Sequence, residues 1–248
     1  MDFTLAKYEE LCRAVSNSNY LPINVVTYIE SYPQRCIIFR HDVDREPEKA
    51  LKMAELEYKY GISSTYYFRM VSNVFIPKIL AEVKDMGHEI GYHYEVLDKV
   101  KGDFESAIRL FSEEIKDFEK YNVKTICMHG NPLSKWTNKD LWEEYNFEDF
   151  GIIGEPYLSI DYSLVAYFTD TGRRWNSKSS VKDVVDCNTL LVKSTNGIID
   201  LIEEGKINQI CILTHPNRWN DNGIDWMKEL FLQNLKNVGK FGLKQLKT

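Results

Sequence analysis

Cys36-Ile37-Ile38-Phe39-Arg40-His41-Asp42-Val43-Asp44 is the stretch on which the fold turns. Four uninterrupted apolar residues predict a buried strand, and the polar run directly after them marks its carboxyl end. Glu46-Pro47-Glu48 then predicts a helix start, with proline in the first turn and acids near the positive end of the dipole. Ala50, Ala54 and Tyr58 follow at i, i+4 spacing, and Gly61 stops the helix. Strand, loop and helix in this order make a β/α unit, the building block of a mostly parallel sheet.

Working outward, the same alternation recurs. Further strands are predicted at 64–68, 89–93, 125–128, 150–153, 164–168 and 209–214. A helix is expected over about 76–86, closed by Gly87, and another carries Phe104, Ala107, Ile108, Phe111, Ile115 and Phe118 on one face. Leu5, Tyr8, Leu11, Cys12 and Val15 mark an extra helix before the first strand, and a last helix is expected over 224–235. Residues 157–193 carry no clear period. With no internal repeat or Pro/Gly/Ser-rich linker, residues 1–248 read as one domain.

Composition excludes several classes. The 248 residues include 31 Lys+Arg and 37 Asp+Glu, a net charge of −6, which argues against a nucleic-acid partner held by bulk electrostatics. Apolar residues at 44% and charged residues at 27% are ordinary globular values and rule out disorder. No apolar run approaches a membrane span. The opening residues from Met1 to Leu11 lack the apolar stretch of a secretory signal, which predicts a cytoplasmic protein. Five cysteines with no C-x-x-C spacing, three of them inside apolar runs, predict reduced structural thiols.

The polar chemistry collects where strands end. Of the five histidines, His41, His93, His129 and His215 fall at the carboxyl ends of predicted strands, and only His88 lies at a strand's beginning. In parallel β/α folds those ends share one face and supply catalytic groups together. Asp42 and Asp44, at i and i+2, point the same way on extended backbone, and two such carboxylates repel unless a cation intervenes. The competing reading has one of them capping the helix near Pro47 and the other solvated. His93 is a candidate ligand for zinc or a similar metal, or else a hydrogen-bonded core residue. His129, in the turn His129-Gly130-Asn131-Pro132, reads equally as ligand, substrate contact or turn residue. His215, held between Thr214 and Pro216, suits a general acid. Arg40, Arg173 and Arg174 could hold carboxylates or a substrate oxygen, with surface pairing as the alternative. Trp175 and Trp219 fit either sugar stacking or the core.

Taken in order, Asp42-Val43-Asp44, Gly87-His88-Glu89-Ile90-Gly91-Tyr92-His93 and Leu213-Thr214-His215-Pro216 resemble the motifs of the polysaccharide deacetylase (NodB-homology, carbohydrate esterase family 4) superfamily. The resemblance spans about residues 36–219 and implies an α/β fold, a distorted (β/α)7 barrel, here with an extra N-terminal helix. It implies Asp42 as general base, Asp44 as carboxylate metal ligand, His93 as first metal histidine and His215 as general acid. Four residues after His93, where the family places its second metal histidine, this chain has Leu97; His129, Glu95 or water would take that place. His129-Gly130-Asn131-Pro132 stands where the family has an arginine-proline motif, and Asp170 with Trp175 loosely resembles the later Asp/Trp motif that positions the catalytic histidine.

The expectation is therefore a metal-dependent hydrolase, a carbohydrate deacetylase that removes an acetyl group from an N-acetylated sugar. Its cofactor would be a divalent ion, Zn²⁺ by the donor types, with Asp44, His93 and His129 as the ligand set. Arg40, Asn131, Asp170, Arg173 and Trp175 are the substrate-binding candidates. The substrate would be a small molecule or oligosaccharide, with a free, nucleotide-linked or lipid-linked amino sugar favoured by the cytoplasmic expectation. The alternatives are a non-catalytic carbohydrate-binding barrel and a metal-dependent hydrolase of O-acyl or glycosidic bonds.

Overall fold

A computed structural model describes residues 1–175, 192–221, 223, 226–227 and 231. Helix α1 (Leu5–Ser16) is capped by Thr4, whose side chain accepts from the Lys7 amide, and buries Tyr8, Leu11, Cys12 and Val15. Strand β1 (Leu21–Ile23) and α2 (Val25–Ser31) precede β2 (Cys36–Val43). The next units are α3 (Pro47–Lys59), β3 (Thr65–Arg69), α4 (Pro77–Asp85) and β4 (Glu89–Tyr94). The short α5 (Val96–Lys99) leads to α6 (Phe104–Glu114), which tightens into a 3₁₀ helix over Ile115–Tyr121 before β5 (Ile126–Met128). After 3₁₀ turns at Asn138–Glu143 and Phe147–Phe150 come α7 (Pro156–Ser159), β6 (Ala166–Thr169), α8 (Thr195–Glu204) and β7 (Gln209–Thr214). Of the helix expected over 224–235, only Trp226, Met227 and Phe231 are among the described residues, and Cys187 is outside them.

The strands form one parallel sheet in the order β5-β4-β3-β2-β7-β6, with β1 on the amino-terminal half of β2, curled into a half-barrel with helices around it. Seven strands were expected and seven are present among the described residues, but one differs. Residues 150–153 are not a strand: Phe150 ends a 3₁₀ turn and stacks edge-on against Phe111, and Gly151 takes φ +72°. That left-handed residue breaks the extended run, so only a single bridge, Thr125 to Gly154, survives. The strand missed from sequence is β1, three residues long with proline at its centre.

Alternation along β2 separates two environments. Ile38 packs with Tyr67, Cys127, Cys211 and Leu213 on the concave face, whereas Ile37, Phe39 and Val43 join the clusters beneath the helices. On α3 the buried stripe is Ala50, Met53, Ala54 and Glu57, and Tyr58 is exposed, so the apolar face is rotated from the expected one and contains an acid. Cys12, Cys36, Cys127 and Cys211 are buried and form no disulfide with one another. No helix among the described residues is long and apolar enough to cross a membrane.

Candidate metal centre and active site

The in-register parallel ladders bring strand ends to one rim. Asp42 pairs with Tyr67, Arg69 with His93, His93 with Cys127 and His41 with Thr214. Just past β2 the Asp44 amide donates to the Asp42 carbonyl, a tight turn that keeps both carboxylates at this rim.

Asp44, His93 and His129 converge there. Asp44 Oδ1 lies 3.1 Å from His129 Nδ1 and 3.5 Å from His93 Nε2, and the two nitrogens are 3.2 Å apart. His129 is held by its own backbone: its amide donates to Tyr94 O and its carbonyl accepts from Asn138 Nδ2. Burial raises the affinity of Asp44 for its proton, but the His129 and His93 imidazoles outweigh this and hold its pKa well below the carboxylate range. A second grouping, Asp42, His93 and Cys127, is looser, with Asp42 Oδ2 3.9 Å from His93 Nε2.

The donor set fits a divalent cation. One carboxylate oxygen and two imidazole nitrogens are ligands typical of zinc sites. Asp44 Oδ1 and Asp42 Oδ1 are buried and accept no hydrogen bond of acceptable geometry, a costly state for carboxylate oxygens with no cation nearby. Glu95 is committed elsewhere, to Arg69, with Oε2 2.6 Å from Nη2 and Oε1 3.3 Å from Nε. Leu97 is buried in the cluster beneath the helices, away from any ligand role. Of the groups that could stand in for the missing histidine, His129 is the protein side chain found beside Asp44 and His93.

Asp42 sits above a fully buried Arg40, its Oδ2 3.7 Å from Nη2. Arg40 donates to Tyr157 Oη at 2.8 Å and lies over that ring at 4.6 Å. Expected to contact substrate, Arg40 instead lies beneath the base candidate with no exposed surface.

Three further expectations need correcting in the same way. Asp170 is fully buried: Oδ1 accepts from Arg218 Nη1 at 2.7 Å and lies 2.6 Å from His215 Nδ1, while Oδ2 accepts from the His215 amide and Trp219 Nε1, both at 3.0 Å. It holds the imidazole and has no lone pair left for a substrate. Burial works to raise its pKa, but Arg218 and His215 bring it below its usual value. Trp175 stacks on Phe3 and donates to Thr195 Oγ1, and Trp219 packs edge-on against Phe3 and Tyr8, so neither offers a face to a sugar ring. Arg173 is buried, lies over Phe3 and Trp226 and donates to Trp226 O. Asn131 remains beside His129, lining a cleft of about 360 Å³ with Asp98, Leu133, Ser134, Lys135 and Trp136.

His41, grouped by sequence with the strand-end histidines of the shared face, instead meets Glu57, which sequence did not single out, at 2.8 Å on the helix side of the sheet. The available signal was an acid at a core position of α3. Arg69 and Tyr157, which bind Glu95 and Arg40, carried no signal at all.

No protein-family model matches the chain, and no curated protein matches it. Among solved structures, the Xyl-CE4 domain of a multidomain xylanase from the hindgut metagenome of Trinervitermes trinervoides is 16% identical, with 84% of this chain and 85% of that one covered and a TM-score of 0.38. A mutant of peptidoglycan deacetylase PdaC from Bacillus subtilis is 13% identical, with coverage of 86% and 97% and a TM-score of 0.38. Likeness at this level carries no weight for function, which rests on the side chains.

Proposed function

We propose that this chain is a divergent polysaccharide-deacetylase-like hydrolase that removes an acetyl group from the nitrogen of an N-acetylated sugar with the help of a divalent cation. The observation that supports this best is the meeting, at one rim, of the Asp44, His93 and His129 ligand set with two differently held proton-transfer groups, Asp42 and His215.

A cation held by Asp44, His93 and His129 would supply Lewis-acid polarisation of the amide carbonyl and acidify water at neutral pH. Asp42 Oδ1, which has no hydrogen-bond donor, is the atom to take the water proton, while Arg40 beneath it fixes the carboxylate from the other oxygen. His215 hands its proton to the departing nitrogen as the C–N bond breaks, since an unprotonated amine is a poor leaving group. The carboxylate of Asp170 can only accept from Nδ1, so Nδ1 keeps its hydrogen and Nε2 is the nitrogen that exchanges a proton. The cleft lined by Asn131 and Trp136 beside His129 is where the remainder of the sugar would lie.

The test compares N-acetyl, O-acetyl and glycoside substrates on protein loaded with Zn²⁺ or another divalent metal, with Asp42→Asn beside the native chain. N-acetyl hydrolysis that falls roughly 10²–10⁴-fold in the variant is expected. Retained hydrolysis with metal bound removes Asp42 as the base, and sugar binding without turnover on any substrate favours a binding barrel.

A further inference from the structure

His41 belongs to the same polar run as Asp42, yet it points to the opposite side of the sheet, where the metal and substrate cannot reach it. Both ring nitrogens are engaged: Nδ1 is 2.7 Å from Thr214 Oγ1 and Nε2 is 2.8 Å from Glu57 Oε1. Since a carboxylate only accepts, Nε2 carries a hydrogen toward Glu57. Glu57 also accepts from Tyr66 Oη at 2.7 Å and from Tyr8 Oη. One buried carboxylate thus ties together α1, β2, α3, β3 and β7. His88, 3.8 Å away, makes no hydrogen bond to it and is fixed by Ser64 N and Ala54 O.

An ionised network of this depth is an inefficient way to gain stability, because well-packed apolar residues of similar volume do as well. Its placement suggests what it does instead. His41 and Thr214 are register partners in the β2–β7 ladder, and each immediately precedes a proposed proton-transfer residue, Asp42 and His215. Neighbouring residues of a strand face opposite ways, so a lock between His41 and Thr214 on one side fixes the spacing of Asp42 and His215 on the other.

We propose that Glu57, His41 and Thr214 form a positioning relay that sets the separation of Asp42 and His215. The role rests on reading those two residues as base and acid. None of the three touches the substrate or the metal ligand set, so the relay acts on turnover and leaves metal affinity alone.

The isosteric exchange Thr214→Val removes the hydroxyl, and Thr214→Ser restores it. In zinc-loaded protein, Thr214→Val is expected to lower kcat on the N-acetyl substrate by roughly 10–100-fold, with KM and zinc affinity within about twofold, and Thr214→Ser to recover most of the loss. Imidazole NMR signals of His215 should move in Thr214→Val and return in Thr214→Ser. That readout needs no turnover, so it decides the matter even if the native chain proves inactive and the deacetylase reading fails. Unchanged His215 signals, or a kcat within twofold of native, overturn the relay. If Thr214→Val does not fold, Thr214→Ala gives the same comparison.

Discussion

Nδ1 of His93 donates to the carbonyl oxygen of Cys127 across 2.9 Å, from one strand to its neighbour. A carbonyl cannot donate, so this bond fixes the tautomer and leaves Nε2 as a lone pair facing Asp44 and His129. His93→Ala removes the best-oriented donor, and His129→Ala removes one carried on a loop. Both variants should lose metal affinity, His93→Ala by more than the roughly 10–100-fold typical of disturbing a supporting residue. Isothermal titration with Zn²⁺ checks this, and native affinity in either variant sinks the ligand assignment.

Asp170 exists in this fold to hold His215. Asp170→Asn keeps the shape but presents an amide where a carboxylate accepted from Nδ1–H, so the imidazole can flip its tautomer. Turnover should fall by roughly 10²–10⁴-fold with little change in KM. Steady-state kinetics on the best substrate found decides it.

Leu97 occupies the position where the family resemblance expects a histidine, and it is packed among apolar side chains. Leu97→His therefore restores the motif in sequence only. Burying an imidazole there should cost roughly 2–4 kcal/mol and lower Tm by about 5–10 °C, with no gain in metal affinity. A tighter metal site in this variant would show that the α5 segment can reach the rim.

Glu57 gives a pH signature to stability. Burial pushes its carboxyl up, but the His41 and His88 imidazoles and the Tyr8 hydroxyl outweigh that and bring it down to about 2 from 4.5. A carboxyl depressed in the folded state stabilises above its unfolded pKa, and the benefit disappears as pH falls from 4.5 toward 2. It amounts to something on the order of 3 kcal/mol. The midpoint of denaturant unfolding should fall across that window more steeply for the native chain than for Glu57→Gln.

The strand ends were legible because each apolar run stops abruptly at polar residues, and a parallel sheet gathers such ends by construction. Asp42, Asp44, His93 and His215 could be picked out for that reason. His129 stayed ambiguous, because only the third dimension brings the end of β5 beside the turn after β2. Gly151 was visible but its left-handed backbone was not, so 150–153 read as a strand. Trp175 and Asp170 read as substrate contacts because adjacency in the chain conceals which side of β6 and β7 a residue faces, although the Asp/Trp resemblance also implied the histidine-positioning place that Asp170 takes. The His41–Glu57 pair was hidden because the buried face of α3 runs through Met53 and Glu57 and leaves Tyr58 exposed.

β7 lies between β2 and β6, in the interior of the sheet, and it is the last of the described strands in the chain. Its partner β2 leaves the ribosome about 170 residues earlier, so one edge of β2 stays unpaired through most of synthesis, open to the wrong neighbour. Thr214 and His215 arrive on that same strand. Completion of the sheet and completion of the proposed acid–base pair are thus one late event, and a chain released early carries the proposed metal ligands with no acid to work beside them.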